Sequence, residues 1–195
     1  MPTTLRPASV EWGLVVPQLV ARSTFDGSVQ AQTIGAPRWF VNIETGPLKA
    51  VDVPQWEALI QRLRGGVNRL NLWDWRRESA LGVATGTPLV KTTVTGGNVV
   101  ASKGWTASVT GILLAGTYLG IGGELKRLSL DADSDGAGDA TLTFEPPLRG
   151  TATVNTSIVK SKPKALFVLM TSRPGMRQQG ARHAGWALAF EEVFS

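Results

Sequence analysis

The stretch that most constrains the fold is Asp52 to Trp75, DVPQWEALIQRLRGGVNRLNLWDW, which carries the only strong helix signal in 195 residues. Trp56, Leu59, Ile60 and Leu63 recur at i, i+3, i+4 and i+7, one apolar stripe on a helix predicted over 53–64. Asp52 is placed to act as N-cap with Gln55 as its capping-box partner, and Pro54 falls in the first turn, where its missing N–H costs nothing. Gly65-Gly66 is expected to end the helix by supplying positive φ. Full burial of the four apolar side chains contributes roughly 6–12 kcal/mol, an upper bound built from about 1.5–3 kcal/mol each. A three-turn helix is marginal alone in water, so this one needs a sheet to lie against.

The rest of the chain supplies strands. Residues 9–20 and 28–34 read as two of them, separated by the turn signal Phe25-Asp26-Gly27. Arg38 to Ile43 places Trp39, Val41 and Ile43 on one face of a third. Another is expected from Val67 to Trp75, with Trp73 and Trp75 feeding the same core as Trp12 and Trp39. The continuous apolar run Ala165 to Met170 reads as a strand covered on both faces, and Gly185 to Phe194 as the last strand.

Residues 81–159 differ, being rich in Gly, Thr, Val and Ser with repeated short strand signals. Leu128 and Leu130, then Ala140, Leu142 and Phe144, alternate with polar residues on either side of the loop Asp131 to Asp139, and Pro146-Pro147 is expected to close the second strand. The predicted fold is therefore mainly β with one helix. A β-sandwich or split-barrel core spans 1–80 and 160–195 and carries the helix, and a small all-β domain is inserted over 81–159.

Composition narrows the chemistry. The chain has 22 glycines and 11 prolines, which demands many turns, and it lacks cysteine, which removes disulfides, thiol nucleophiles and zinc-thiolate sites. Apolar runs fall far short of the roughly 18 residues that span a bilayer, and the N-terminus has no apolar signal-peptide core, so the expectation is a protein made in a cytoplasm, with no membrane partner. The net charge of +5 is compatible with an anionic partner, but the basic residues are scattered and no aromatics are interleaved with them as stacking platforms.

The motifs with catalytic or ligand-binding precedent are weak. Asp131-x-Asp133-x-Asp135-Gly136 matches the opening of a calcium loop, but Leu142 stands where a bidentate Glu belongs, so a polar hairpin turn is the better reading. Gly120-Ile121-Gly122-Gly123 precedes no helix and reads as a strand-to-strand turn rather than a phosphate cradle. His183 is the only histidine, so any histidine-based triad or metal site rests on it alone, and a surface or interface role is the simpler reading. Glu191-Glu192 are adjacent on a strand and point to opposite faces, poor geometry for a carboxylate pair. No enzymatic activity, cofactor or metal is expected.

One pattern is more specific. VPQWEALIQRLRGGVNRLNLWDWRRE (53–78) resembles the helix-Gly-strand signature of small tail proteins of long-tailed bacteriophages of proteobacteria. GWTASVTGILLAGTYLGIGGELKRLSLDADSDGAGDATLTFEPPLRG (104–150) resembles the module inserted in those proteins, with Thr117 where such modules commonly carry Asp. The resemblance as a whole covers about two-thirds of the chain. The match is best to the distal tail protein family. The resemblance implies a tail-tube type of β-sandwich that assembles with copies of itself as a hexameric ring and joins the tail tube protein to tail hub or baseplate proteins. It also implies a neighbouring tape measure protein, DNA passing through without specific binding, and a place in the virion. Candidate ring contacts are the edge strands of the core and the loops 25–27 and 173–180, with Phe25, Arg173, Arg177 and His183 as the residues singled out. A second expectation is a carbohydrate-binding module, with Trp105 and Tyr118 stacking on host-surface glycans; a third is another tube or hub subunit.

Overall fold

The structure is a computed structural model that describes residues 7–175, 178–179, 182–183 and 185–194, with no side chains described for 178–179 and 182–183. In chain order the elements are β1 (Ser9–Val15), β2 (Gln18–Arg22), β3 (Val29–Thr33), β4 (Arg38–Glu44), α1 (Val53–Leu63), β5 (Arg69–Leu72) and β6 (Gly86–Val90). They continue with β7 (Val94–Trp105), β8 (Tyr118–Ile121), β9 (Glu124–Leu128), β10 (Ala140–Ala152), β11 (Ala165–Leu169), β12 (Gln178–Gln179), β13 (Arg182–His183) and β14 (Ala187–Glu192). The chain is mainly β with one short α-helix. It divides into two compact units, residues 1–70 with 166–195 and residues 71–165. The sequence reading drew these ends at 80 and 160, so Trp73 belongs with the second unit.

The first unit is built on a sheet of order β1-β4-β14-β11-β5. Register explains its buried face. Val41 stands opposite both Trp12 and Phe190, and Ile43 opposite both Val10 and Leu188, so the alternate residues of three strands pool on one side. Trp39, Val41, Ile43, Leu188 and Phe190 are buried there, and so is Leu70 of β5. Polar pairs occupy the other side: Asn42 Nδ2 donates to Glu11 at 2.7 Å and Arg38 meets Glu191 at 3.2 Å. The apolar run at β11 is not covered on both faces as expected; Ala165, Phe167 and Leu169 are buried, whereas Leu166 and Val168 are only half-buried. Antiparallel pairing with β14 gives it one interior face rather than two.

Helix α1 buries Val53, Trp56, Leu59 and Leu63, while Ile60 at the flank of the stripe is only half-buried. The stripe starts one turn earlier than the sequence pattern implied, because Val53 packs inward at the helix start. Asp52 is itself helical in φ and ψ and makes no side-chain cap, so the expected capping box with Gln55 does not form. At the other end Arg64 takes the left-handed conformation as C-cap, Gly65 and Gly66 follow with the expected positive φ of +62° and +102°, and Asn68 Nδ2 donates to the Arg62 carbonyl at 2.6 Å. Gly66 is still required. Its φ is +102° and a Cβ there would lie 2.6 Å from the Leu169 carbonyl oxygen of β11.

The second unit is a curled sheet of order β6-β7-β10-β9-β8. Its two edges are joined by residues 155–159. On the β6 side, Val90 N–H donates to Thr156 O and Ile158 N–H to Pro88 O, at 2.9 and 3.0 Å. On the β8 side, Gly120 and Val159 exchange hydrogen bonds of 2.8 and 2.9 Å. Neither edge is left open there, as in a closed barrel. Gly122-Gly123, with φ of +60° and +82°, make the two-residue turn between β8 and β9 that paired positive φ permits. Pro146-Pro147 do not end a strand; they lie inside β10, where the register with β7 breaks after Thr143 and the strand takes β9 as partner at Phe144 and Glu145. Proline has no N–H to give a ladder, which suits that change of partner.

The barrel interior holds Val100, Ile112, Leu119, Ile121, Leu142 and Phe144, all fully buried. Lys126 is buried with them. Its ammonium donates to Glu124 at 2.6 Å and to the Pro147 carbonyl at 2.9 Å. The Glu124 carboxylate also accepts from Gly150 N–H at 2.9 Å and pairs with Arg149 at 3.1 Å. This network ties the β8–β9 hairpin to the bend of β10. Burial pushes the Glu124 carboxyl up, but the bonds from Lys126 and Gly150 outweigh it and hold the group below its ordinary value of 4.5. A depressed carboxylate contributes stability that is complete above its unfolded value and is lost as pH falls through the folded one. Thermal melts are therefore expected to show the second unit losing stability as pH drops below about 4.5, and this slope should flatten in Glu124→Gln.

Candidate functional site

The feature of the first unit with no structural task of its own is the β2–β3 hairpin. Strands β1 and β4 pair from Ser9↔Glu44 to Val15↔Arg38, and the same two chain segments then continue, past Pro17 and Gly35, as β2 and β3 paired from Gln18↔Thr33 to Arg22↔Val29. Every residue of β2 and β3 is exposed, and among the described residues nothing covers either face. Leu19, Val20, Val29 and Ile34 are more than half exposed, and Phe25 at the tip is wholly so, at 101%. A lone two-stranded hairpin is at best marginal in water, and its two edges carry unpaired N–H and C=O groups.

The tip itself is tightly made. Ser23 N–H donates to Ser28 O at 2.9 Å and Gly27 N–H to Ser23 O at 3.2 Å, with Gly27 at φ +72°. Asp26 Oδ1 accepts from the Ser28 N–H at 3.0 Å and from its hydroxyl at 2.9 Å. Hydrogen bonds from Ser23 and Ser28 hold the Asp26 carboxyl down to about 2. The expected turn at Phe25–Gly27 is therefore present, and its built geometry keeps one aromatic ring in solvent. Four exposed aliphatic side chains and a phenyl ring on a preformed turn are what an interface anchor requires.

The other residues singled out from the sequence fall elsewhere. Arg173 is exposed, and no hydrogen bond, ion pair or ring contact joins it to Phe25. Arg177 lies outside the described residues, and His183 sits in β13 opposite Gln178 with its side chain not described. Trp56, Leu59 and Leu63 are core, as expected. Trp73 is buried too, but beyond the end of β5 and in the second unit, where its ring centre lies 5.7 Å from that of Trp75.

Trp105 and Tyr118 do not form a sugar platform. They are 5% and 6% exposed, so neither ring offers a face to a ligand. Trp105 Nε1 donates to Ser102 at 2.8 Å inside the barrel, and Tyr118 lies between Arg77 and Arg127, whose guanidinium carbons are 5.7 and 5.8 Å from its ring centre. The aspartates of 131–139 turn inward on the backbone. Asp131 and Asp133 accept from the N–H groups of Ala115 and Gly111 at 2.6 Å each, Asp135 accepts from Ala137 and Asp139, and Asp139 pairs with Lys91 at 2.5 Å. Among the described residues no three His, Cys, Asp or Glu side chains form a metal-holding group. Nor is any helix there long and apolar enough to cross a membrane.

Phe25 was singled out from the sequence, but the exposure of both strands behind it was not, because alternation alone does not say whether a face is covered. The one sequence signal for it was the apolar Phe25 inside a turn. Neither a family model nor a curated protein matches the chain.

Proposed function

We propose that this chain is a structural subunit of a bacteriophage tail, and that copies of it close into a ring joining the tail tube to the tail tip or baseplate around the DNA channel. The observation that carries the reading is the uncovered β2–β3 hairpin, with Leu19, Val20, Val29 and Phe25 in solvent. Its occupant is a neighbouring copy, to which it offers a strand edge and an apolar anchor. A closed ring needs such a heterologous contact, in which one surface of each subunit meets a different surface of the next. The resemblance of residues 53–78 and 104–150 to distal tail proteins supplies the setting. The virion is the location this reading assigns.

The hairpin gives the test. In Leu19→Ser/Phe25→Ser the fold should be kept, since neither side chain is buried, and near-UV circular dichroism should match the parent chain. Assembly should be lost, read as a fall in mass by light scattering to that of one 20.8 kDa chain. If the double variant assembles as the parent does, the hairpin is not the contact.

A further inference from the structure

We infer that the second unit carries a site for an oxyanion, a phosphate or carboxylate group, in the cavity beside Lys162 and Lys164, and this inference does not depend on ring formation. The cavity is about 370 Å³ and lies where the closing segment 157–164 passes the β8–β9 turn. Its polar lining is Ser157, Ser161, Lys162 and Lys164, with Gly120 and Gly123 across from them and no carboxylate in the wall. Both ammoniums converge on one aromatic ring, Lys162 at 5.7 Å and Lys164 at 5.9 Å from the centre of Trp73. Glu78 meets Lys162 at 3.5 Å, whereas Lys164 has no carboxylate partner among the described residues. The pair is therefore left with uncompensated positive charge, and two like charges drawn to one ring favour an anion between them.

The backbone adds an independent argument. Lys162 is held at φ +46° immediately before Pro163, a left-handed conformation that a lysine adopts only at a cost and that glycine would supply freely. What lysine brings to that position is its ammonium. Ser157 and Ser161 line the same cavity, so two hydroxyls stand beside the two ammoniums. Ammonium and hydroxyl donors around a pocket without acidic groups match the acceptor-only surface of phosphate or carboxylate.

Amide chemical shifts of the full chain, titrated with inorganic phosphate and separately with glucuronate, provide the test. Saturable shifts confined to Gly120, Gly123, Ser157 and Ser161 are expected, weakening by about tenfold or more in Lys162→Gly/Lys164→Ala. Lys91→Ala, which removes a cation of the same unit, should leave the titration unchanged. Lys162→Gly keeps the backbone turn, so the fold survives the loss of charge. Saturation by phosphate alone assigns the site to phosphoryl groups, and saturation by glucuronate assigns it to carboxylates such as those of acidic saccharides. Absence of saturable shifts with both anions, or shifts that persist in the double variant, would overturn the inference.

Discussion

Trp56→Ala is expected to destabilise the first unit by about 3–5 kcal/mol, the range for removing a large aromatic side chain from a packed interior. Trp56 is 1% exposed and among the largest fully buried side chains, so its loss opens a cavity that the surrounding sheet closes only in part. The helix depends on that burial, because eleven residues without an N-cap hydrogen bond do not hold a helix in water. Ile60 provides the internal comparison. It belongs to the same sequence stripe but is half-buried, so Ile60→Ala should cost roughly 1 kcal/mol, well below the full-burial range. Urea titration of both variants checks the ordering; equal costs would mean that the helix presents a different face. Leu63→Asp should prevent the unit from folding, since a carboxylate at a 2% exposed position has no partner.

The second large effect concerns the buried lysine. Glu124→Gln removes the negative charge 2.6 Å from Lys126 and leaves an ammonium with no exposed surface facing a neutral amide. Breaking a buried pair by deleting one partner costs about 3–5 kcal/mol, most of it the uncompensated charge. The double variant Glu124→Gln/Lys126→Met should recover most of that loss, because a methionine fills the lysine's path beside Phe144 without a charge to satisfy. Thermal unfolding of the two variants reads the difference. A double variant no more stable than Glu124→Gln would show that the lysine stem, not its charge, is what the barrel needs.

The contrast between these two sites shows what the amino-acid pattern made legible. Trp39, Val41 and Ile43 could be placed on the interior face from alternation alone, and the helix from its stripe, because each had a polar side to set against an apolar one. Lys126 could not be placed, since a lysine between Leu125 and Arg127 reads as a solvated strand residue until Pro147 and Glu124 are brought to it by the bend of β10. The closing segment 155–159 was equally hidden: Asn-Thr-Ser carries no apolar alternation, and its task is backbone pairing, which every residue type can do. Trp105 and Tyr118 erred in the other direction. Aromatic residues in a polar, glycine-rich stretch suggested an exposed platform, whereas each ring is used inside or against the barrel wall. For the hairpin, the alternation of Val29 and Ala31 with Gln30 and Gln32 in β3 is the kind of pattern that buries β4, and only the three-dimensional arrangement shows that nothing described covers it.

That uncovered hairpin makes self-association the central claim, and the mass of the purified chain by light scattering, read with negative-stain images of the same sample, tests it most directly. The account predicts a mass several times 20.8 kDa and a ring with a central hole. A single-chain mass that persists as the protein is concentrated, with the hairpin amides exchanging freely with solvent, would contradict it.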